Sequence, residues 1–178
     1  MVRGFIVVVV LLLGFMASAW SAGTAPLNIV ALGASNTAGR GQGSHPGGVS
    51  RNEAYPAQLE AMLRAKGYDA HVSNAGVPGD TTAAMLHRMD AAVPSGTQIV
   101  ILQTGGNDAR RGVGGDTAAN VARMMSELRA RGIKVIQLDK LGAYAPDSTR
   151  DPDGEHYNKQ GHAAIAAALL PRVIAAAK

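Results

Sequence analysis

The sequence contains no cysteine among its 178 residues. Disulfide bonds, thiolate nucleophiles and cysteine-ligated zinc are therefore excluded as sources of stability or of chemistry. The absence leaves the cellular compartment open, because an oxidising compartment permits disulfides without requiring them.

Aromatic residues and an excess of one charge are also scarce. Aromatic side chains make up 4% of the chain and hydrophobic residues 47%, so alanine, valine, leucine and isoleucine must form most of a core. The formal net charge is only +4, and no dense run of lysine and arginine is interleaved with aromatic residues. Such runs are typical of nucleic-acid-binding faces, so we expect no nucleic-acid partner.

The N-terminal residues have the layout of a secretory signal peptide. Arg3 precedes an apolar run over residues 5–15, and small residues with two cleavage motifs follow it. The run is shorter than the roughly 20 residues that a membrane-spanning helix needs. We therefore expect residues 1–22 to be removed, and residues 23–178 to form one secreted or periplasmic domain without a stable membrane anchor. An uncleaved N-terminal anchor is the alternative.

Apolar β-like runs alternate with helical segments along the rest of the chain. Strands are predicted over residues 27–32, 69–73, 97–103 and 133–138. Helices are predicted over residues 52–66, 80–93, 116–131 and 158–177, with Asp80 or Thr81, Asp116 and Asn158 as capping candidates and Gly67 and Gly132 as stops. This alternation predicts a doubly wound α/β domain with a parallel sheet built from the four runs.

A polar cluster follows each predicted strand. The clusters read "GASN" at residues 33–36, "NAGVPGDTT" at 74–82, "TGGND" at 104–108 and "DGEH" at 153–156. In doubly wound sheets, ligands bind at the carboxyl ends of the strands. We therefore expect the four clusters to meet at one edge of the sheet.

The clusters contain the groups that an acyl transfer needs. A serine hydroxyl becomes a good nucleophile when a base takes its proton, and His156 can be that base for Ser35. Asp153 lies three residues before the histidine and can orient its imidazole. The backbone N–H groups of Ser35 and Gly76 and the side-chain amide of Asn107 are candidate donors to an oxyanion. Each feature alone is weak, since a serine after a strand is usually a cap or turn residue, and an Asp-x-x-His pair is more often a solvated turn or part of a metal site.

Four other histidines compete with His156 as the base. His71 falls in a predicted strand, His87 and His162 fall on predicted helices, and His45 lies in a glycine-rich loop. We expect these side chains to be exposed or structurally satisfied. His45 is the least secure of them, because its loop can border the pocket.

Taken in this order, the four clusters resemble the sequence blocks of the SGNH (GDSL-type) hydrolases. The segment "NEAYPAQL" at residues 52–59 is similar to the family's helix between the first two blocks, and the resemblance extends from residue 27 to the end of the chain. It implies a flavodoxin-like three-layer α/β/α fold, no metal or cofactor, and a small-molecule acyl ester or thioester as substrate. The closest resemblance is to the secreted arylesterase, thioesterase and lysophospholipase branch.

The resemblance also implies roles for particular residues. Carried over block by block, the family's nucleophile, acid and base fall on Ser35, Asp153 and His156. Its oxyanion donors fall on Ser35, Gly76 and Asn107.

Two departures from the family pattern bear on activity. Ala34 stands where the usual Gly-Asp-Ser motif has aspartate, and we expect changed loop hydrogen bonding there rather than loss of activity. Only residues 140–152 separate the fourth strand from the Asp-His loop, where relatives usually have another helix and a fifth strand. One alternative is therefore that Asp153 and His156 do not reach Ser35.

Two alternative functions stay open beside ester hydrolysis. One is a carbohydrate deacetylase, and the other is a catalytically inactive binding protein with the same fold. Bulky apolar residues are scarce in the glycine-rich loop over residues 39–50 and in the short segment over residues 140–152. For an esterase, this scarcity predicts a preference for short acyl groups, roughly C2 to C6.

Overall fold

Strands and helices alternate along the chain in the predicted order. The computed structural model describes residues 25–40, 47–138 and 140–178, so the predicted signal peptide and His45 lie outside the described residues. The strands are β1 Leu27–Gly33, β2 Ala70–Gly76, β3 Ile99–Gln103 and β4 Lys134–Gln137. The helices are α1 Ser35–Ala38, α2 Tyr55–Ala65, α3 Thr82–Ala92, α4 Asn107–Arg110, α5 Thr117–Ala130 and α6 Lys159–Ala176. Short 3-10 turns occupy Gly114–Asp116, Leu141–Ala143 and Asp147–Thr149.

The four strands form one parallel sheet in the order β2-β1-β3-β4. In this register Ile29 of β1 aligns with Val72 of β2 on one side and with Ile99 of β3 on the other. The chain crosses from β1 to β2 and then returns to the opposite side of β1. The topological switch point therefore lies between the carboxyl ends of β1 and β3, which is where such sheets bind ligands. The predicted parallel sheet is confirmed, with four strands.

Helices cover both faces of this sheet. The helices α2 and α6 pack together on one face, where Ile29 and Ile101 belong to the core. The helices α3 and α5 pack together on the other face, where Val30 and Leu102 belong to a second core. Successive side chains of a strand point to opposite faces, so a strand buried on both sides reads as a continuous apolar run. The three-layer α/β/α sandwich is confirmed.

Polar side chains and glycines mark the helix ends. Thr81 caps α3, since its hydroxyl oxygen accepts a hydrogen bond from Ala84 N–H at 3.2 Å. Asn158 caps α6 by accepting two backbone N–H bonds of its first turn. The side chain of Asp116 precedes α5 without forming a capping bond. Glycines with left-handed backbone follow α2 and α5 as predicted, and they are Gly67 and Gly132.

Two differences from the predicted elements bear on the candidate site. The strand β2 extends to Gly76, because residues 74–76 pair with the last three residues of β1. Short helices, α1 and α4, follow β1 and β3 directly and contain Ser35 and Asn107. The described part of the short segment before the Asp-His loop contains 3-10 turns and no strand.

Within the described ranges, no helix is both long and apolar enough to span a lipid bilayer.

Candidate active site

The Ser35 turn is built at the carboxyl end of the central strand. The strand β1 ends at Gly33, and α1 begins two residues later with Ser35, which is half-buried. A Cβ atom on Gly33 would lie 2.2 Å from Thr37 Oγ1 and 2.9 Å from Gln103 Cβ, so only glycine fits there. The N–H of Ser35 donates no hydrogen bond to any described residue. The turn therefore presents both the hydroxyl and the backbone donor of one residue.

A buried hydrogen-bond network fixes this turn from behind. Gln103 Oε1 accepts hydrogen bonds from Ala34 N–H at 3.1 Å and from Thr37 Oγ1 at 3.0 Å. The hydroxyls of Thr37 and Tyr55 are themselves hydrogen-bonded at 3.1 Å. Burial raises the pKa of Tyr55 well above its ordinary value, so the phenol stays neutral. Ala34 stands at the position of the aspartate in the usual family motif. The network holds this position through the hydrogen bond from Ala34 N–H to Gln103.

Asp153 and His156 form a hydrogen-bonded pair. Asp153 Oδ2 lies 2.6 Å from His156 Nδ1, and Asp153 Oδ1 accepts from the backbone N–H groups of Glu155 and His156, each at 2.9 Å. Burial acts to raise the pKa of Asp153, but the hydrogen bonds from His156 and Glu155 outweigh it and lower the pKa to about 2. The carboxylate is therefore ionised at neutral pH. An ionised partner makes Nδ1 the protonated nitrogen of a neutral imidazole, which leaves Nε2 as the acceptor.

The acceptor nitrogen of His156 is buried and has no hydrogen-bond partner among the described residues. No hydrogen bond joins it to Ser35 Oγ within that part of the chain. The two segments are nevertheless in contact, because Asn36 Nδ2, on the residue after Ser35, donates to the carbonyl oxygen of Glu155 at 3.1 Å. The structure thus brings the histidine loop against the serine turn without closing the Ser35–His156 hydrogen bond.

Gly47 and Gly48 lie against the carboxylates of the Asp-His segment. A Cβ atom on Gly47 would lie 2.0 Å from Asp153 Oδ2, the oxygen that contacts His156. The next residue, Gly48, donates its N–H to the carboxylate of Asp151. A side chain at position 47 would therefore collide with the Asp153–His156 pair.

Asn107 is held in a defined orientation on α4. Its amide nitrogen Nδ2 donates to the carbonyl oxygen of Asp80 at 2.7 Å, and its Oδ1 accepts from Arg110 Nη2 at 2.6 Å. An amide nitrogen carries two hydrogens, so one donor remains after the bond to Asp80. Its neighbour Asp108 is buried and accepts from Thr82 N–H at 2.8 Å, which anchors α4 beside α3.

The N–H of Gly76 is engaged inside the protein. It donates to Asn74 Oδ1 at 3.0 Å. A Cβ atom on Gly76 would lie 2.1 Å from Ala38 N, so glycine is required there by close packing of β2 against α1. Three residues later, the N–H of Gly79 donates no hydrogen bond to any described residue, and the following carbonyl, that of Asp80, receives the Asn107 amide.

A cavity of about 350 Å³ opens beside Ser35 and Asn107. Asp153, His156 and Gly76 are not among the residues that line it. Most lining side chains are polar, including Asn36, Thr104, Arg110, Lys140, Arg150 and Glu155. Apolar side chains come from Ala34, Leu141 and Tyr157. The cavity is therefore a small polar site rather than an apolar channel.

The other described histidines have different surroundings. His71 and His87 are exposed on β2 and α3, as predicted, and His71 lies 3.3 Å from Glu60. His162 is buried on α6, where its Nδ1 accepts from Tyr55 N–H at 3.2 Å. Its Nε2 has no hydrogen-bond partner among the described residues, so the expectation of a satisfied side chain holds for one ring nitrogen only. Burial lowers the pKa of His162 to about 4, so it stays neutral at physiological pH. Among the described residues, no group of three or more histidine, aspartate or glutamate side chains could hold a metal ion.

Comparison with known proteins identifies the family. The model of the GDSL-like lipase/acylhydrolase family matches residues 31–175. The chain belongs to this family. The matched range includes all five residues that the sequence patterns single out, and the predicted family is confirmed.

The chain is also similar to individual relatives and solved structures. The chain is 36% identical over 93 residues to "Esterase TesA" of Pseudomonas aeruginosa, a match that covers 51% of this chain and 46% of that protein. The structure of AlinE4, an SGNH-hydrolase family esterase, is 36% identical with a TM-score of 0.53, over 63% of this chain and 58% of AlinE4. A Clostridium thermocellum family 3 carbohydrate esterase gives a TM-score of 0.67 at 17% identity over 86% of this chain and 100% of its own, which is a likeness of fold alone. The match to the curated relative spans about half of that relative's length.

Several site residues were not identified from the sequence. The Ser35 turn is contacted by Gln103, which accepts from Ala34 N–H. The Asp-His loop is contacted by Asn36 and Arg110, which both donate to Glu155. Gln103 carries one signal that could have found it, because it is a buried polar residue at the end of an apolar strand. Gly47 carries no such signal, since the close approach to Asp153 depends on the folded loop.

Proposed function

We propose that this chain is a serine hydrolase that cleaves carboxylic esters of short acyl groups. The observation that carries the proposal is the hydrogen bond of 2.6 Å between Asp153 and the buried His156, in a loop that contacts the Ser35 turn. An ionised carboxylate on Nδ1 and an unpartnered Nε2 are the states that a general base for a serine requires.

The proposed reaction proceeds through an acyl-enzyme. Ser35 Oγ attacks the acyl carbon while His156 Nε2 takes the hydroxyl proton, and Asp153 stabilises the resulting imidazolium. His156 then gives the proton to the leaving alcohol as the ester bond breaks. Water attacks the acyl-enzyme, His156 takes a proton from it, and the acid product leaves with Ser35 restored. A thioester would follow the same steps with a thiol as the leaving group.

The missing hydrogen bond between Ser35 Oγ and His156 Nε2 is compatible with this scheme. Catalytic hydrogen bonds are often long in unliganded enzymes and tighten when substrate binds. Because Nε2 has no partner among the described residues, no existing hydrogen bond has to break before it accepts the Ser35 proton.

The proposed oxyanion donors are the backbone N–H of Ser35 and the second amide hydrogen of Asn107. The resemblance to the family adds Gly76, but its N–H would first have to leave Asn74 Oδ1. The N–H of Gly79 has no such partner and belongs to the turn that contacts Asn107 through the Asp80 carbonyl. We therefore propose Gly79 as the second backbone donor, with Gly76 as the alternative.

The composition of the cavity supports a short acyl group. Each buried methylene contributes about 0.8 kcal/mol to binding, but only where apolar walls can cover it. The few apolar lining residues can cover only a few carbons.

The same polar walls favour one second candidate, deacetylation of a carbohydrate. Hydroxyl groups of a sugar could bond to side chains such as Asn36, Arg150 and Glu155, which line the cavity beside Ser35. The chemistry at Ser35 would be unchanged, with a sugar hydroxyl as the leaving group.

A substrate panel tests these proposals together. Purified protein is offered an aryl acetate, an aryl butyrate, a short acyl thioester and an acetylated sugar, each beside the Ser35→Ala variant. We expect the short aryl esters to be hydrolysed by the wild type and not by the variant. Turnover of the acetylated sugar alone would favour the deacetylase, and binding without turnover of any substrate would favour the inactive binding protein.

We also propose that the protein acts outside the cytoplasm after removal of residues 1–22, a segment that lies outside the described residues. The support is the charge and apolar pattern of that segment. Mass spectrometry of the exported protein should place its first residue between positions 20 and 23. A full-length chain retained in the cytoplasm would contradict this proposal.

A further inference from the structure

We propose that Arg110 and Glu155 are positioning residues that hold the oxyanion amide and the acid–base loop in fixed relative places. This inference rests on the proposed function, because it assumes that Asn107 and the Asp153–His156 pair act in catalysis. It adds two residues that the family resemblance did not assign.

Arg110 bridges two catalytic segments with one planar group. It is the last residue of α4, and its Nη1 donates to Glu155 Oε1 at 2.7 Å while its Nη2 donates to Asn107 Oδ1 at 2.6 Å. The guanidinium is rigid and always charged, so the two bonds fix the separation of their acceptors. A lysine ammonium is a point charge on a flexible stem, so it would not fix two acceptors in one plane in this way.

The contact with Asn107 orients its amide. With Oδ1 held by Arg110, Nδ2 faces the Asp80 carbonyl and keeps its second hydrogen for an oxyanion. Without the guanidinium, the amide could turn over and present Oδ1, which would repel a developing negative charge. A hydrogen bond from a cation to Oδ1 also polarises the amide and strengthens donation from Nδ2.

The contact with Glu155 holds the other half of the site. The N–H of Glu155 donates to Asp153 Oδ1 at 2.9 Å, and its carbonyl oxygen accepts from Asn36 Nδ2 at 3.1 Å. Glu155 therefore contacts Asp153, directly precedes His156 in the sequence, and contacts Asn36, the residue after Ser35. Fixing its side chain to Arg110 ties all of these groups to α4.

A simple surface ion pair would explain the Arg110–Glu155 contact without any catalytic role. Their side chains are 49% and 38% exposed, and pairs of this kind contribute little to folding stability. The exposure makes the two explanations separable, because a positioning role affects turnover while the fold keeps its stability. Arg123 and Glu127 form a matched control pair at the same 2.7 Å distance on α5, with 69% and 40% exposure.

The first measurement compares kcat, KM and Tm of single variants on a short aryl ester. Loss of one oxyanion donor costs about 10²–10³-fold in kcat, so loss of its orientation should cost less, about 10- to 50-fold in Arg110→Gln. We expect KM to change by less than about threefold, and Tm by less than about 2 °C. Arg110→Lys should fall between wild type and Arg110→Gln, and Arg123→Gln should match the wild type.

The second measurement tests whether Arg110 acts through Asn107. In an Asn107→Ala background, Arg110→Gln should lower kcat less than it does in the wild-type background, because only the contact with Glu155 is then left to lose. An equal loss of kcat in both backgrounds, an unchanged kcat in Arg110→Gln, or a loss that follows a large fall in Tm would overturn the inference.

The Ser35→Ala variant separates this failure from failure of the proposed function. Equal turnover by wild type and Ser35→Ala would overturn the serine mechanism and this inference with it. Loss of turnover in Ser35→Ala together with full activity in Arg110→Gln would overturn the positioning role alone.

Discussion

Replacement of Asp153 by asparagine removes a charge while keeping the shape of the side chain. An amide oxygen in place of Asp153 Oδ1 can still accept the backbone N–H bonds of Glu155 and His156. The amide nitrogen would then face His156 Nδ1 and donate to it, which moves the ring proton to Nε2. A protonated Nε2 cannot take the proton of Ser35. We expect kcat at neutral pH to fall about 10⁴-fold, as it does for this change in a Ser-His-Asp triad.

The same substitution should change the acid dependence of stability. The hydrogen bonds from His156 and Glu155 lower the pKa of Asp153 from 3.8 to about 2 in the folded protein. At about 1.36 kcal/mol per unit, the carboxylate stabilises the fold by about 2 kcal/mol. Because the folded-state pKa is depressed, this contribution is present above the unfolded pKa and is lost as pH falls through the folded value.

Denaturant unfolding and ester hydrolysis measure the two effects on the same proteins. Asp153→Asn should be about 2 kcal/mol less stable than wild type near neutral pH, and the difference should shrink towards zero between about pH 5 and pH 2. Asp90→Asn is the matched control, because the Asp90 side chain is 90% exposed. A kcat within about tenfold of wild type would refute the orienting role of Asp153, and a stability difference independent of pH would refute the charge argument.

Three further predictions concern the side-chain amide of Asn107, the close approach of Gly47 to Asp153, and the cavity beside Ser35. Asn107→Ala should lower kcat about 10²–10³-fold with little change in KM, and an effect on KM alone would assign Asn107 to substrate binding. Gly47→Ala should lower kcat by more than about tenfold, because its Cβ would lie 2.0 Å from Asp153 Oδ2. The control Gly115→Ala has open space around its Cβ and should be neutral. Full activity in Gly47→Ala would show that the backbone at position 47 shifts without cost. Across aryl esters from acetyl to palmitoyl at fixed detergent, kcat/KM should peak at roughly C2 to C6, and a steady rise to long chains would reveal an acyl site that the polar cavity does not explain.

The main elements of the fold could be predicted because their patterns are local. The strands β1 and β3 are almost continuously apolar, which follows from burial on both faces of the sheet. The helices α3 and α6 begin with capping residues and α2 and α5 are followed by glycine stops, and these signals act within a few residues of the helix end. The order of strands and helices then restricts the polar clusters to the carboxyl edge of the sheet, so the meeting of the Ser35 and Asp-His segments could be expected.

The remaining features depend on contacts between distant parts of the chain. The short helices α1 and α4 have four residues each, too few for a helical period to show in the sequence. Gln103 reaches Ala34 across 69 positions, and Asn36 reaches Glu155 across 119. No spacing rule relates residues so far apart. The close packing of Gly76 against the backbone of α1 likewise depends on the folded chain.

Labelling with a serine-directed organophosphonate tests the central claim most directly, since it reports on the nucleophile without assuming a substrate. Intact-mass spectrometry of the folded protein should show one phosphonyl adduct per chain, and peptide mapping should place it on Ser35. Labelling should disappear in Ser35→Ala and persist in Ser126→Ala, an exposed serine on α5. It should also slow strongly in Asp153→Asn, because attack on phosphorus needs the same base as attack on an ester. An adduct on another residue, or none on a protein that hydrolyses esters, would contradict the assignment of Ser35 as the nucleophile.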